Sequence, residues 1–403
     1  MFRLALKNIL FYKARSITTF LLTFFSLFLF IIYVAFMNGS HNSMLKNSLD
    51  IYTGSIQIYQ KDYRDEGGYD YLIYDNEKIN KILEKTDGID SFSSRLETFG
   101  ILSSKDKSSA VMLTGINFKK EEKISKLKEG LKSGKYITTG NCLYMGEDLA
   151  NKLNLKLYDK VSFIGNAIDY SFVADIFKLC ATFKTGMFEV DSGAAFLNRE
   201  YFDTLFYSKN TSTYIVVKVK DLDKNDLIAK QISSKLGSEY RLYTWQELMK
   251  AMVELIKVDS IFGYISMGLF FLVIFFVIMI YGFINVSSRI KEFGTLKSIG
   301  LKDSDIDLLL FYEMLILTIF AISFALPIAS YLTYYYEINP IIIEGISEMY
   351  KDYGYISDEV PTSFNIFTIT WNTLTIFFLN MLSILYPVYF VRSFTPIEAM
   401  KHV

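Results

Sequence analysis

Four long runs of apolar residues dominate the pattern along this chain. They are Ile17–Met37, Ile261–Ile284, Leu308–Tyr336 and Ile366–Phe390. Each is close to or above the roughly 20 residues that a helix needs to cross about 30 Å of hydrocarbon. A helix buried in a globular protein is normally shorter and keeps a polar face. The pattern predicts an α-helical membrane protein with one span, a long polar segment, and three further spans.

The polar segment after the first run mixes strand and helix signals, which predicts a large α+β domain. Runs rich in β-branched and aromatic residues predict strands at Ser55–Gln60, Ala110–Leu113, Lys160–Ile164, Phe172–Phe177 and Thr213–Val219. Helical spacing predicts helices at Asn76–Lys85, Lys119–Leu131, Glu147–Leu153 and Leu222–Leu236. Gly165-Asn166, between two predicted strands, indicates a hairpin turn.

Basic residues near the spans predict the orientation. The first span follows Arg3, Lys7, Lys13 and Arg15, and the 285–307 connection carries Arg289, Lys291, Lys297 and Lys302. The connection after the third span is acidic, with Glu337, Glu344, Glu348, Asp352, Asp358 and Glu359. Since Lys and Arg in short loops stay on the cytoplasmic side, both termini and the 285–307 loop are expected inside. A cleaved signal peptide is the alternative for the first run, but its core would normally be only about 7–15 residues long.

These patterns predict nine segments of a multi-pass membrane protein with a large external domain. They are a cytoplasmic amphipathic helix (1–15), the first span (16–37), the external α+β domain with its stalks (38–259), the second span (260–285), a cytoplasmic helix (286–305), the third span (306–336), an external loop (337–365), the fourth span (366–391) and a cytoplasmic tail (392–403).

Composition excludes several classes of function. A net charge of −1 argues against nucleic-acid binding. The sequence contains no phosphate-binding loop, so any ATP hydrolysis is expected on a separate chain. Two histidines offer no metal or acid–base site, and Glu121-Glu122 is interpreted as a solvated surface. The two cysteines, Cys142 and Cys180, are compatible with one disulfide or with two buried thiols.

The 285–307 connection contains a candidate docking helix. Arg289, Glu292 and Phe293 fall on one helical face, and Lys297 follows one turn later. Gly294 permits close backbone approach, and Gly300 is suited to end the helix. A helix with Glu, Phe and Lys pointing outward would fit a groove on another protein. The alternative is an ordinary polar turn between two spans.

These residues also carry a resemblance. The pattern R-x-x-E-F-G-x-L-K-x-x-G, from Arg289 to Gly300, resembles the coupling segment of the MacB/FtsX/lipoprotein-releasing family of ABC transporter permeases. Leu4–Ile9 with Lys13–Ser16 is similar to the family's opening, and Thr395–Lys401 to its C-terminal ending. The one-plus-three arrangement agrees with the family as well.

Within that family, three segments look like the lipoprotein-releasing (LolC/LolE) branch. They are Ile51–Ile58, Gly146–Leu153 with Asp159–Val161, and Phe183–Asp191. The LolC type has an extended loop that recruits a periplasmic chaperone, whereas the connection at Gly165-Asn166 is short. The resemblance therefore implies a LolE-like role or that of a second, paralogous permease.

The resemblance implies two permease chains, as a homodimer or a heterodimer, above two copies of a separate ATPase. Arg289, Glu292, Phe293, Gly294, Lys297 and Gly300 would receive the motion of the ATPase. A lipoprotein would enter sideways from the bilayer and meet Phe24, Phe25, Phe28 and Phe36 of the first span; these side chains would also suit lipid or helix packing. No cofactor is expected. Two alternatives remain open: a MacB-like efflux permease for peptides or drugs, and an FtsX-like module that controls an extracellular hydrolase.

Overall fold

The computed structural model describes residues 1–136, 140–346 and 358–395. The chain forms two compact units. The membrane unit comprises Met1–Asn42, Ile256–Ile342 and the described chain from Glu359 onward. The sheet unit comprises Ser43–Leu255, residues 343–346 and Asp358. The predicted acidic residues Glu348 and Asp352, and most of the motif at Thr395–Lys401, lie outside the described residues.

Helices occur in both units, and the longest belong to the predicted spans. Their bounds are α1 Phe2–Phe11, α2 Lys13–Ser48, α3 Tyr63–Glu66, α4 Asn76–Glu84, α5 Phe118–Ile124, α6 Glu147–Lys152, α7 Phe188–Gly193, α8 Arg199–Leu205, α9 Asn225–Lys235, α10 Trp245–Leu248, α11 Lys250–Ser287, α12 Ile290–Ser298, α13 Asp303–Ile338, α14 Ile366–Ser383 and α15 Leu385–Arg392. A π-helical turn, Leu49–Thr53, follows α2.

Four helical segments in the described chain are long and apolar enough to cross a membrane. They contain α2, α11, α13, and α14 with α15, and their most apolar windows have mean hydropathies of 2.6, 2.8, 2.2 and 1.9. At 1.5 Å per residue, the 36 residues of α2 extend about 54 Å, well beyond the apolar core of a bilayer. The predicted one-plus-three arrangement around a large α+β domain is therefore confirmed.

The first helix is shorter than the amphipathic segment predicted for residues 1–15. Helix α1 ends at Phe11, and α2 begins at Lys13 after a single connecting residue. Its buried side is centred on Ala5, which packs in a cluster with Val286, Phe293 and Leu309. Leu6 and Leu10 of the same helix are exposed.

The sheet unit is built on a ten-stranded sheet. The strands are β1 Ile56–Gln60, β2 Ile89–Ser103, β3 Ser108–Ile116, β4 Leu131–Gly134, β5 Cys142–Gly146, β6 Lys160–Asn166, β7 Phe172–Phe183, β8 Ala194–Asn198, β9 Tyr214–Val219 and β10 Tyr240–Thr244; a further pair, β11 Ile341–Ile342 and β12 Glu359–Val360, belongs to the membrane unit. The order is β10-β1-β9-β2-β3-β8-β5-β7-β4, with β6 bridging β2 and β7.

Strand β2 joins two hydrophobic cores. Its first half, up to Arg95, pairs with β9, and its second half, from Leu96, pairs with β3. One core lies under α4 and α9 and includes Ile58, Leu83 and Ile232. The other lies under α6 and α8 and is centred on Phe163 and Phe177. A single 15-residue strand therefore makes both cores parts of one unit.

Three sequence-based expectations for the sheet unit are wrong. Gly165 and Asn166 are paired with β7 inside β6, and the hairpin turn lies at 167–171. Helix α5 ends at Ile124, where Ser125 becomes extended, so the predicted helix to Leu131 covers a loop and the start of β4. Glu121 is fully buried against Arg95, whereas Glu122 pairs with Lys128 near the surface. The interpretation of both carboxylates as solvated fails for Glu121, because its partner lies 26 residues away in sequence.

Cys142 and Cys180 form a disulfide between the neighbouring strands β5 and β7. Of the two arrangements that the sequence left open, the structure has the disulfide.

Candidate functional site

The candidate coupling helix is α12, between the spanning helices α11 and α13. It begins after Arg289 and ends at Ser298. Gly300 follows with φ of 102°, a left-handed conformation that suits glycine, and its N–H donates to the carbonyl oxygen of Lys297 at 3.0 Å. The predicted stop at Gly300 is therefore present.

The inner face of α12 holds Phe293 and Lys297, two side chains that were predicted to point outward. Phe293 is only 1% exposed and packs with Ala5, Ile306 and Leu309. Arg289 and Gly294 are also buried. An outward-pointing Phe293 is therefore wrong, since helical spacing identifies residues that share a face but not the side on which that face lies.

Arg289 is the centre of a polar cluster at the base of the spanning helices. Its Nη1 donates to Oε2 of Glu313 at 3.0 Å, and its Nε donates to Oε2 of Glu292 at 3.1 Å. Asn8 donates to the other oxygen of Glu313 at 2.6 Å. Tyr12 donates to Glu292 and lies 4.8 Å from the Arg289 guanidinium, measured to the ring centroid. Glu313, near the start of the third span, is thus paired with Arg289, and these contacts join α1, α12 and α13.

Lys297 makes a second connection, to the end of α15. Its Nζ donates to the carbonyl oxygens of Val391 and Phe394, each at 3.0 Å, and pairs with Asp303 at 2.9 Å. A cation at a helix C-terminus is favourable because the last carbonyls there have no partner within the helix. Lys297 therefore acts inside the membrane unit and does not point away from it.

The outer face of α12 is exposed in the described part of the chain. It carries Lys291, Glu292, Thr295, Ser298 and Ile299, which are exposed. Ile299 is 74% exposed, an unusual position for a large apolar side chain beside charged residues. Of the predicted coupling residues, only Glu292 lies on this face. The remaining residues of the outer face could have been found from the sequence by choosing the opposite face of the same helix.

An apolar groove runs between α2 and α11 within the membrane unit. Its volume is about 530 Å³, and it is lined by Thr18, Leu21, Leu22, Phe25, Ser26, Leu29, Phe30, Tyr33, Phe270 and Ile274. Phe30 closes one wall by stacking on Phe271, with ring centroids 4.0 Å apart.

The predicted first-span aromatics are divided by this groove. Phe25 lines it, whereas Phe24 and Phe28 stack on each other at 6.1 Å in the packing between helices. Phe36 lies next to Tyr336, with centroids 6.3 Å apart. Leu29 and Tyr33 were not predicted from the sequence, since neither differs in character from its neighbours in the span.

The described residues contain no group of three or more His, Cys, Asp or Glu side chains placed to hold a metal ion.

Residues 264–396 match the FtsX-like permease C-terminal family. Almost the whole chain is also similar to the lipoprotein-releasing system transmembrane protein LolC of Buchnera aphidicola subsp. Schizaphis graminum. The identity is 26% over 393 residues, which cover 91% of this chain and 88% of that protein. The last third of the chain therefore contains an FtsX-like permease domain. The resemblance seen in the coupling segment is confirmed, including its lipoprotein-releasing branch.

Two solved structures resemble part of this permease at low TM-scores. The extracellular domain of the ABC-type transporter YknZ from Gram-positive bacteria covers 47% of the permease and 100% of itself, at 14% identity and a TM-score of 0.35. The periplasmic region of MacB from Actinobacillus actinomycetemcomitans covers 53% of the permease and 98% of itself, at 17% identity and a TM-score of 0.37.

Proposed function

We propose that this permease works with a separate ATPase to release acylated proteins from the inner membrane. The observation that carries the proposal is the similarity to the lipoprotein-releasing protein LolC along 91% of the chain. The groove and the coupling helix supply the physical parts that such an activity needs.

The groove between α2 and α11 suits an acyl chain. Its lining is almost entirely hydrocarbon, with Phe25, Leu29 and Phe270 among its walls. Burying acyl chains is worth about 0.8 kcal/mol per CH₂, so a multi-acylated anchor leaves a bilayer only with an input of energy. A groove that offers comparable apolar surface lowers the cost of the first step, and the ATPase supplies the rest.

The coupling helix provides a route for that energy. Its outer residues Lys291, Thr295 and Ile299 would contact the ATPase, while its inner residues are fixed to the spans. Arg289 reaches Glu313 on α13, and Phe293 is packed against the cluster around Ala5 of α1. Force on the outer face would therefore move α1 and α13 together with α12.

The proposed orientation places both termini and α12 in the cytoplasm and the sheet unit in the periplasm. Charge asymmetry of the connections supports it. The disulfide between Cys142 and Cys180 supports it as well, since disulfides persist in oxidising compartments. The nine segment boundaries given above from the sequence belong to the same proposal, as do two ATPase copies and a second permease chain.

The test is a mild-detergent purification of the tagged full-length permease, with mass spectrometry of bound proteins and of acylated peptides. An ATPase together with acylated proteins is expected. An ATPase without acylated cargo would contradict lipoprotein release and favour efflux, and a bound hydrolase without cargo would favour the signalling alternative.

Matched variants sharpen this test. Ile299→Asp is expected to abolish capture of the ATPase, whereas Ile342→Asp, at a 70% exposed isoleucine of β11, leaves it unchanged. Leu29→Trp fills the groove and should remove acylated cargo while retaining the ATPase. Leu272→Trp, on α11 but not among the lining residues, is its control. Equal effects of the members of either pair would contradict the assigned surface.

A further inference from the structure

One face of the sheet unit carries large apolar side chains that no other described residue covers. They lie on the adjacent strands β2, β6 and β7, and together they are called the apolar face: Phe99, Ile101, Ile164, Phe172 and Ile176. Phe99 and Phe172 are 73% and 71% exposed. Alternate residues of the same strands, such as Leu102, Phe163 and Val173, point the other way into the core.

Strand register makes this face continuous. Ile101 lies opposite Ala110 on one side and Ile164 on the other, and Ile164 lies opposite Ala174. In the next row, Phe99 lies opposite Met112. The alanines leave hollows beside the aromatic side chains, so the surface has both projections and recesses. Large contiguous apolar patches on a protein surface mark interaction sites.

Charge is distributed unequally between the two ends of this face. Beyond Ile176, the exposed Lys160 and Lys178 lie directly opposite each other on β6 and β7. The other end is the 167–171 turn, where Asp169 is exposed. Tyr170 of the same turn donates to Asp70 at 3.1 Å, which places a second exposed carboxylate there. The order along the face is basic, apolar, acidic.

We propose that the apolar face is the contact between two copies of this chain. In a two-fold contact the same patch meets itself, so residues at the two ends of the patch exchange partners. An antiparallel arrangement would bring Lys160 and Lys178 of one copy to Asp169 and Asp70 of the other, with the apolar rows stacked between them.

Size and charge favour a second copy over an unrelated partner. A standard interface buries about 800 Å² on each side. The apolar face extends over three adjacent strands. Complementary charges set the register of a contact, and here the same surface carries both the basic end and the acidic end. The inference goes beyond the proposed function, which calls for a pair of permeases but assigns no contact between their sheet units.

Cysteine cross-linking in native membranes tests the contact with the full-length permease. The two native cysteines are bonded to each other, so an introduced cysteine is the free thiol. Ile164→Cys and Ile101→Cys, near the expected two-fold axis, should each give a covalent dimer with a short bismaleimide. Leu227→Cys, at a 62% exposed position on α9 away from the face, is the control and should stay monomeric.

The end positions test the antiparallel register. Lys160→Cys and Asp169→Cys should cross-link to each other when two differently tagged permeases are co-expressed, and neither should cross-link to itself. Lys178→Glu in both copies should lower the Ile164→Cys dimer by about fivefold, because it places like charges together. Adding Asp169→Lys should restore the dimer.

Two results would overturn the proposal. In the first, Ile101→Cys and Ile164→Cys react fully with a small maleimide in the assembled transporter but give no dimer, which shows an open face. In the second, both cysteines cross-link to a different protein in place of a second copy. Neither result affects capture of the ATPase or of acylated cargo, so failure here is distinguishable from failure of the proposed function.

Discussion

Each unit of the permease contains a buried arginine–glutamate pair, and the two pairs differ in their surroundings. In the sheet unit, the Arg95 and Glu121 side chains are both 0% exposed and bonded through two guanidinium nitrogens. In the membrane unit, Arg289 and Glu313 are 8% and 16% exposed and border a small cavity of about 70 Å³. The first pair is therefore fully shielded from solvent, whereas the second has a cavity beside it.

The partners of each pair support this difference. Nη1 of Arg95 donates to the carbonyl oxygen of Tyr52 at 2.6 Å, and the guanidinium lies 4.0 Å from the centroid of the Tyr52 ring. Tyr52 belongs to the π-helical turn that follows α2, so Arg95 fixes this turn to the sheet. Arg289 instead connects Glu292 of the short helix α12 to Glu313 of the long helix α13. We call the Arg95 pair the static anchor and the Arg289 pair the joint, since the first fixes a turn to the sheet and the second connects helices.

The largest predicted effect is at the static anchor. Arg95→Met leaves Glu121 buried without its cation and should destabilise the sheet unit by about 3–5 kcal/mol. The measurement is the thermal unfolding midpoint of the purified full-length permease. The double variant Arg95→Met with Glu121→Leu should recover most of that loss, because a well-packed apolar replacement of a buried pair is often neutral.

Lys126→Met is a matched control, since Lys126 is 40% exposed and pairs with Asp50 at 3.8 Å. It should change the stability by less than about 1 kcal/mol. If the double variant is as unstable as Arg95→Met alone, the loss comes from the contact with Tyr52 and not from the unpaired Glu121.

The joint in the membrane unit should show a smaller stability effect and a larger functional one. Removing Arg289 and Glu313 singly and together, as Arg289→Met and Glu313→Leu, should give a coupling energy of about 1–3 kcal/mol in a double-mutant cycle. Since the pair joins α12 to α13, each single variant should reduce cargo release about tenfold while the ATPase stays bound and active.

Lys297→Met is the comparison variant, because Lys297 joins α12 to the end of α15 rather than to α13. A loss of ATPase binding in Arg289→Met would contradict the inner position of Arg289. Unchanged cargo release in both single variants would show that the pair is as static as the anchor.

The two pairs also show what sequence can and cannot predict. The spans follow from composition alone, because length and lack of charge are local properties. Arg289 was singled out because its motif is local as well. Glu121 was misjudged because only the strand order of the sheet brings Arg95 to it. Phe293 was assigned to the correct helix but the wrong side, since the packing that buries it comes from α1 and α13.

The groove was missed for a related reason. The sequence singles out aromatic residues of the first span, yet Phe24 and Phe28 pack between helices and Leu29 lines the groove. Which face of an apolar helix remains uncovered depends on the neighbouring helices, and the helix carries no polar stripe to reveal it.

The smallest predicted effect concerns Glu97, which lies beside the static anchor. Burial raises the pKa of Glu97 above its usual value, although hydrogen bonds donated by Tyr214 and Tyr52, each at 2.7 Å, oppose the shift. A carboxyl with a raised folded-state pKa binds protons more tightly in the folded protein. Its contribution is therefore most favourable below the unfolded pKa of about 4.3 and is lost as the pH rises through the folded value.

Glu97→Gln keeps an oxygen that accepts from both tyrosines but does not ionise. Its urea midpoint relative to the unmodified permease should therefore be higher at pH 7.5 than at pH 5. The same comparison made in the Arg95→Met background should show a stronger pH response, because the charge of Arg95 lowers the pKa of Glu97 and its removal raises that pKa further. An equal difference at both pH values would mean that Glu97 keeps the same charge state at pH 5 and at pH 7.5. Neither protons nor water would then reach the static anchor.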